Sequence, residues 1–168
     1  MFAFTLLSFL ILAGFILLNC LLHNGIPGSY SAFSAFWQTE PRYSRINAWS
    51  AVTAAAAILM IPPMVEVGDG NAFQFLGFFA PLYLIVVSLT PEWDIDKRQR
   101  RVHVIGAALC AFLALLWLVV IRDQWWLVCS CFAAAVIAGS WSKTLPGSAV
   151  FWGEMVMFLS VYLSLLIG

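Results

Sequence analysis

Six long apolar runs, at about 2–22, 47–65, 72–89, 102–121, 125–140 and 149–167, restrict this chain to very few folds. A helix of ~20 residues rises far enough to cross a hydrocarbon core of ~30 Å. Backbone amides in that core have no water to bond, so a spanning run must be a helix or part of a closed barrel. A barrel would read as ~10-residue strands of alternating polarity, and no such alternation is visible. The expectation is an all-α fold: a polytopic membrane helical bundle of six transmembrane helices, with a short interfacial helix in the first loop. A single transmembrane domain is expected over 1–168, since no internal repeat or dividing linker is visible. The first run lacks a basic leader and a small-residue cleavage site, and is read as a retained helix rather than a signal peptide.

The chain is 63% hydrophobic and only 10% charged, against about a quarter charged in ordinary soluble domains. Its formal net charge is zero, so no basic field points to nucleic acid. The charges it has are unevenly placed. Thr90–His103 (TPEWDIDKRQRRVH) carries seven of the sixteen. With six spans, Arg42, Arg45, Lys97, Arg98, Arg100, Arg101 and Lys143 fall on one side and only Arg122 on the other. Positive residues mark cytoplasmic loops. The expected location is therefore the bacterial inner (plasma) membrane, multi-pass, with both termini outside and loops 23–46, 90–101 and 141–148 cytoplasmic.

Within the first loop, HNGIPGS punctuates the chain, and Tyr30, Phe33, Phe36 and Trp37 then recur at helical spacing. This predicts the interfacial helix, with Ser29 or Ser31 as its cap. Pro62 and Pro63 are expected to kink or end the second span, and Pro81 to bend the third. Gly106, Cys110 and Ala114 line one face of the fourth, a small-residue seam that invites close packing. Cys20, Cys110, Cys129 and Cys131 all lie in apolar runs and are read as packed free thiols.

The polar side chains gather at one depth. Asn19, His23, Asn47, Ser50, Thr53, Ser88, Asp94, His103, Ser140 and Glu154 share the cytoplasmic third, while the outer half holds only Thr5, Ser8, Ser130, Ser160 and Ser164. Hydroxyls like these are expected to bond their own helix backbone. The asymmetry describes a blind pocket rather than a pore, which would need polar lining at every depth.

Glu154, the one acid inside a span, costs on the order of 2–3 kcal/mol unless paired or hydrated. It reads as a proton acceptor, metal ligand or headgroup contact, or as a structural partner near the membrane surface. His103, expected to begin the fourth span, and His23 suit acid–base work or a hydrogen bond to a loop. With Asp94 and Glu154 they form a two-histidine, two-carboxylate set, but no HxxxH spacing supports it, so no metal and no cofactor are expected. A nucleophilic serine among Ser29 and Ser31 would need His23 or His103 as its base. GxSxG is absent, and capping is the favoured role. Asp94 and Asp96 are expected to pair with the basic residues at 97–101. The catalytic candidates are thus His103, Glu154, His23 and Asp94. The ligand-binding candidates are Ser29, Ser31, Asn19, Asn47, Ser50, Arg98 and Arg101, the two arginines meeting anionic headgroups at about 1 kcal/mol each.

Pro27-Gly-Ser-Tyr-Ser31 after the first span, His103 ahead of Gly106-Ala107, and Phe151-Trp-Gly-Glu154 in the last span together resemble a family of uncharacterised six-helix bacterial integral membrane proteins. More distantly, the layout is similar to the DRAM and GPI-lipid-remodelling membrane proteins, whose first loop carries a Pro…Ile-Ser-Asp element. Ala32 stands where that element has its acid. The resemblance implies a lipid-facing role. Three readings follow: a cytoplasm-facing polar pocket that binds a lipid headgroup or small polar ligand, with or without acting on it; a small transporter or ion-conducting oligomer using Glu154; and a non-catalytic interaction or assembly protein packing through Gly106, Cys110 and Ala114. The expected partners are membrane lipids, with a homo-oligomer or another membrane protein as further candidates.

Overall fold

The computed structural model describes residues 1–22, 25–39, 47–140 and 148–167. The described residues form seven helices: α1 (Phe2–Leu22), α2 (Ala32–Thr39), α3 (Ala48–Val67), α4 (Leu76–Ser88), α5 (Lys97–Val120), α6 (Trp125–Ser140) and α7 (Ala149–Ile167). Four of them, α1, α3, α5 and α7, are long and apolar enough to cross a membrane. α4 has 13 residues and α6 has 16, which gives them lengths of about 20 and 24 Å. The outer surface is built of side chains that water would not tolerate in such density. Leu10, Leu17 and Leu21 on α1, Phe112 on α5, and Phe132 and Val136 on α6 are all exposed. The all-α membrane bundle read from the apolar runs is present.

Several expected boundaries move, each for a local reason. α5 begins at Lys97, five residues before the expected start, because the Asp96 carboxylate accepts the Arg98 amide at 2.8 Å and caps the helix. Much of the charged stretch is therefore helical, and His103 sits in the second turn. α4 begins at Leu76 rather than near 72. The Asn71 side chain accepts the Phe73 amide at 2.8 Å, a turn that competes with helix. α3 does not end at its prolines but continues through Pro62 and Pro63 to Val67. Neighbours support that last turn: Trp117 donates to the Met64 carbonyl at 3.2 Å and Gln74 to the Val65 carbonyl at 3.1 Å.

α2 is not laid on the surface. Phe33 and Ser34 are buried, and its aromatics stack inward, Phe33 edge-on to Phe151 and Trp37 against Phe15. The small-residue seam is likewise consumed inside the chain. Cys110 and Ala114 are buried, and a Cβ on Gly106 would lie 3.2 Å from a Val87 methyl. It packs α5 on α4. α3 and α4 come closer still, since a Cβ on Gly77 would lie 2.4 Å from the Met64 carbonyl oxygen. All four cysteines are free thiols; Cys110 is buried, but Cys129 is exposed rather than packed.

At the end of the bundle opposite α2, hydroxyls bond between helices as well as within them. Ser8 donates to the Ala56 carbonyl at 2.8 Å and accepts from the Tyr162 hydroxyl at 2.7 Å. Arg122 donates to both the hydroxyl and the carbonyl of Ser164. Ser130, as expected, bonds its own helix at Trp126.

Candidate functional site

The turn before α2 is held from two sides. Ser29 accepts the Ala32 amide at 3.2 Å and caps α2, which leaves the Ser31 hydroxyl free for another partner. The Tyr30 amide donates to the Glu154 carboxylate of α7 at 2.7 Å. The Tyr30 ring is buried, and its hydroxyl lies 2.7 Å from Thr53 of α3. Because Thr53 gives its own proton to the Trp49 carbonyl, Tyr30 is the donor. Burial pushes the Tyr30 phenol above its ordinary pKa. Ser148 caps α7 by accepting the Phe151 amide, and its hydroxyl donates to the Gly28 carbonyl of the same turn.

This anchoring places Ser31 against α5. The Ser31 Oγ lies 2.8 Å from His103 Nε2, and the Thr90 Oγ1 lies 2.9 Å from His103 Nδ1. The tautomer follows from Thr90. Its hydroxyl is 2.7 Å from the Val87 carbonyl, which can only accept, so the single Thr90 proton goes there. Thr90 then accepts from Nδ1–H, and Nε2 is left to accept the Ser31 proton. The imidazole lies between two indoles, stacked on Trp93 with centroids 5.0 Å apart and tilted against Trp49 at 6.1 Å. Trp93 is fixed in turn, its indole N–H donating to the Ser31 carbonyl and the Ser34 hydroxyl at 3.2 Å each. His103 is buried, held and directional.

Ser31, Tyr30 and Glu154 open onto a cavity of about 460 Å³ between α4, α5, α6 and α7, within the ~300–1,000 Å³ usual for small-molecule sites. Its walls are otherwise apolar, with Ala111, Phe132, Met157 and Phe158 among them. The polar groups cluster toward the first turns of α7, and the cavity runs from there along the helices.

The other candidates serve different ends. Asn19 bridges the Phe15 carbonyl and the Trp37 indole, and Asn47 caps α3 while donating to the Ser34 carbonyl. Both are structural. Ser50 Oγ and the Asp94 carboxylate oxygen Oδ1 are buried with no hydrogen-bond partner among the described residues. Arg100 does not meet the Asp94 carboxylate through the bonds it makes; it donates to the carbonyls of Trp93 and Asp94. Arg98 and Arg101 are exposed on the first turns of α5. His23 lies outside the described residues. Among the described residues, no group of three or more His, Cys, Asp or Glu is placed to hold a metal. Sequence reasoning passed over Thr90, Trp93 and Trp49 as site residues; a hydroxyl and an indole just ahead of a basic helix start were the only signals available. Comparison with family models, curated proteins and solved structures finds no match to this chain.

Proposed function

We propose that this chain is a six-span protein of a bacterial inner membrane that binds one amphiphile, such as a lipid, in the cavity between α4–α5 and α6–α7. The polar part would sit at Ser31 and Glu154 and the acyl part along Phe132, Met157 and Phe158. The observation that carries this reading is the cavity itself: an apolar slot of about 460 Å³ with Glu154, the only acid among the described residues that line it, and the histidine-bonded Ser31 at one end. α4 and α6 are the two short spans in this reading, and α2 is tucked among the helix ends at the cytoplasmic interface. The distribution of Lys and Arg supports that orientation, seven against one. At the far end Ser8, Tyr162 and Ala56 satisfy one another, which supports a blind site over a conducting path. The resemblance to lipid-remodelling proteins points the same way.

Native mass spectrometry of protein purified from membranes in mild detergent tests the reading. One bound lipid per chain is expected. Gly153 lines the cavity, and a Cβ there meets nothing within 4 Å, so Gly153→Phe should fill the slot and release the lipid without unfolding the bundle. A folded wild-type chain that carries no lipid after incubation with phospholipid would overturn it.

A further inference from the structure

We infer that Ser31 is a nucleophile activated by His103, and that the site cleaves a long-chain acyl ester. The inference rests on the amphiphile reading and adds a reaction to it. Three features carry it. The Ser31 hydroxyl meets a histidine nitrogen at 2.8 Å, and that nitrogen is the unprotonated one. The opposite ring nitrogen donates to Thr90, which fixes ring and tautomer as the third member of a nucleophile–base–orienter set does. The same serine lines an apolar cavity, so an acyl chain lying in it brings a carbonyl carbon to the hydroxyl. A serine serving only as a helix cap needs none of these, and here Ser29 already caps α2.

The step balances within the site. Ser31 Oγ attacks the ester carbonyl carbon as its proton passes to His103 Nε2. The tetrahedral intermediate collapses, the ester C–O bond breaks, and Nε2 returns the proton to the departing alcohol oxygen. Water then attacks the acyl-serine, giving one proton to Nε2. Collapse releases the fatty acid, and the proton returns to Ser31. Glu154 does not touch the reacting atoms. It holds the Tyr30 amide and so the position of Ser31. Thr90 is a positioning residue acting through His103.

The test uses the full chain in detergent with two probes: a long-chain alkyl fluorophosphonate, which reacts with activated serines, and 4-nitrophenyl palmitate. Peptide mapping should find the phosphonate on Ser31, and nitrophenolate release should depend on Ser31. Ser31→Ala should abolish both signals. His103→Gln keeps hydrogen-bonding capacity but offers no base, and should slow both by at least ~100-fold. Thr90→Val should lose most of the rate and Thr90→Ser should recover it, a contrast that a purely structural role would not produce at equal thermal stability. Lipid occupancy by native mass spectrometry separates the two proposals. Wild-type protein that carries lipid but neither labels at Ser31 nor releases nitrophenolate overturns the reaction and leaves binding intact. Labelling at equal rates in wild type and His103→Gln overturns it as well. Labelling at Ser31 without nitrophenolate release from 4-nitrophenyl palmitate overturns the long-chain ester as substrate.

Discussion

Ser31 Oγ and His103 Nε2 stand 2.8 Å apart although 72 residues separate them in the chain. The contact joins the turn ahead of α2 to the second turn of α5, and it is the polar centre of the molecule. Its energetics are asymmetric. His103→Leu removes two hydrogen bonds and the ring stacked on Trp93, and it leaves the buried Ser31 hydroxyl without its acceptor while Thr90 keeps the Val87 carbonyl. It should cost about 2–4 kcal/mol, whereas Ser31→Ala removes one bond and should cost about 1 kcal/mol. Thermal unfolding in one detergent checks the order; equal losses would contradict the bridging role.

The α3–α4 crossing predicts a sharp contrast between glycines. Gly77→Ala would push a methyl to 2.4 Å from a backbone oxygen, while Gly14→Ala meets nothing within 4 Å. Overpacking against rigid backbone should cost Gly77→Ala about 3 kcal/mol or more, with no loss for Gly14→Ala. Melting temperature and folded yield read both.

Glu154 matters to the turn as an acceptor for the Tyr30 amide. Glu154→Gln keeps an acceptor and should stay within about 1 kcal/mol of wild type, while Glu154→Ala orphans that amide and should lose about 1–3 kcal/mol. A glutamine variant as unstable as the alanine variant would show that charge, not the acceptor, holds the turn.

Tyr30 gives the fold a pH limit on the alkaline side. Burial raises its pKa in the folded chain, while the unfolded phenol ionises near about pH 10. Its contribution is therefore full below that pH and declines as pH rises above it, since only the unfolded state readily loses the proton. Tyr30→Phe should be less stable than wild type at about pH 8 by about 1 kcal/mol, and the gap should narrow toward about pH 11. A gap that widens with pH would contradict the assignment.

Orientation is open to direct labelling. Arg98 is exposed at the start of α5, and in the proposed topology it faces the cytoplasm. A membrane-impermeant maleimide should miss Arg98→Cys in intact cells and modify it after permeabilisation. Modification in intact cells would invert the topology.

Much of the architecture was legible because lipid imposes a simple rule on sequence. The bounds of α1, α6 and α7 coincide with their apolar runs. The rule fails where polar side chains decide the backbone. Asn71 delays α4 and Asp96 advances α5, and each required recognising one cap within a charged or glycine-rich turn. The site was legible only as an inventory. His103 and Glu154 could be named from depth and residue type, and Ser31 from its turn after Pro27-Gly28, but their pairing depends on two turns meeting across the bundle end. No spacing rule encodes that meeting. Thr90 was missed for the same reason: its role exists only once α4 and α5 have packed antiparallel. Asn19 and Asn47 share the depth of the site yet spend their bonds on Trp37, Ser34 and helix backbone, which depth alone could not reveal.

The most direct test of the central claim is photocrosslinking with a fatty acid bearing a diazirine in its chain, incorporated into cellular lipid and mapped by mass spectrometry. Crosslinks should concentrate on Met157 and Phe158, which line the cavity and are partly buried, and should vanish there in Gly153→Phe. Crosslinks confined to outward residues such as Leu10, Leu17 and Leu21, unchanged in that variant, would contradict a lipid held within the bundle.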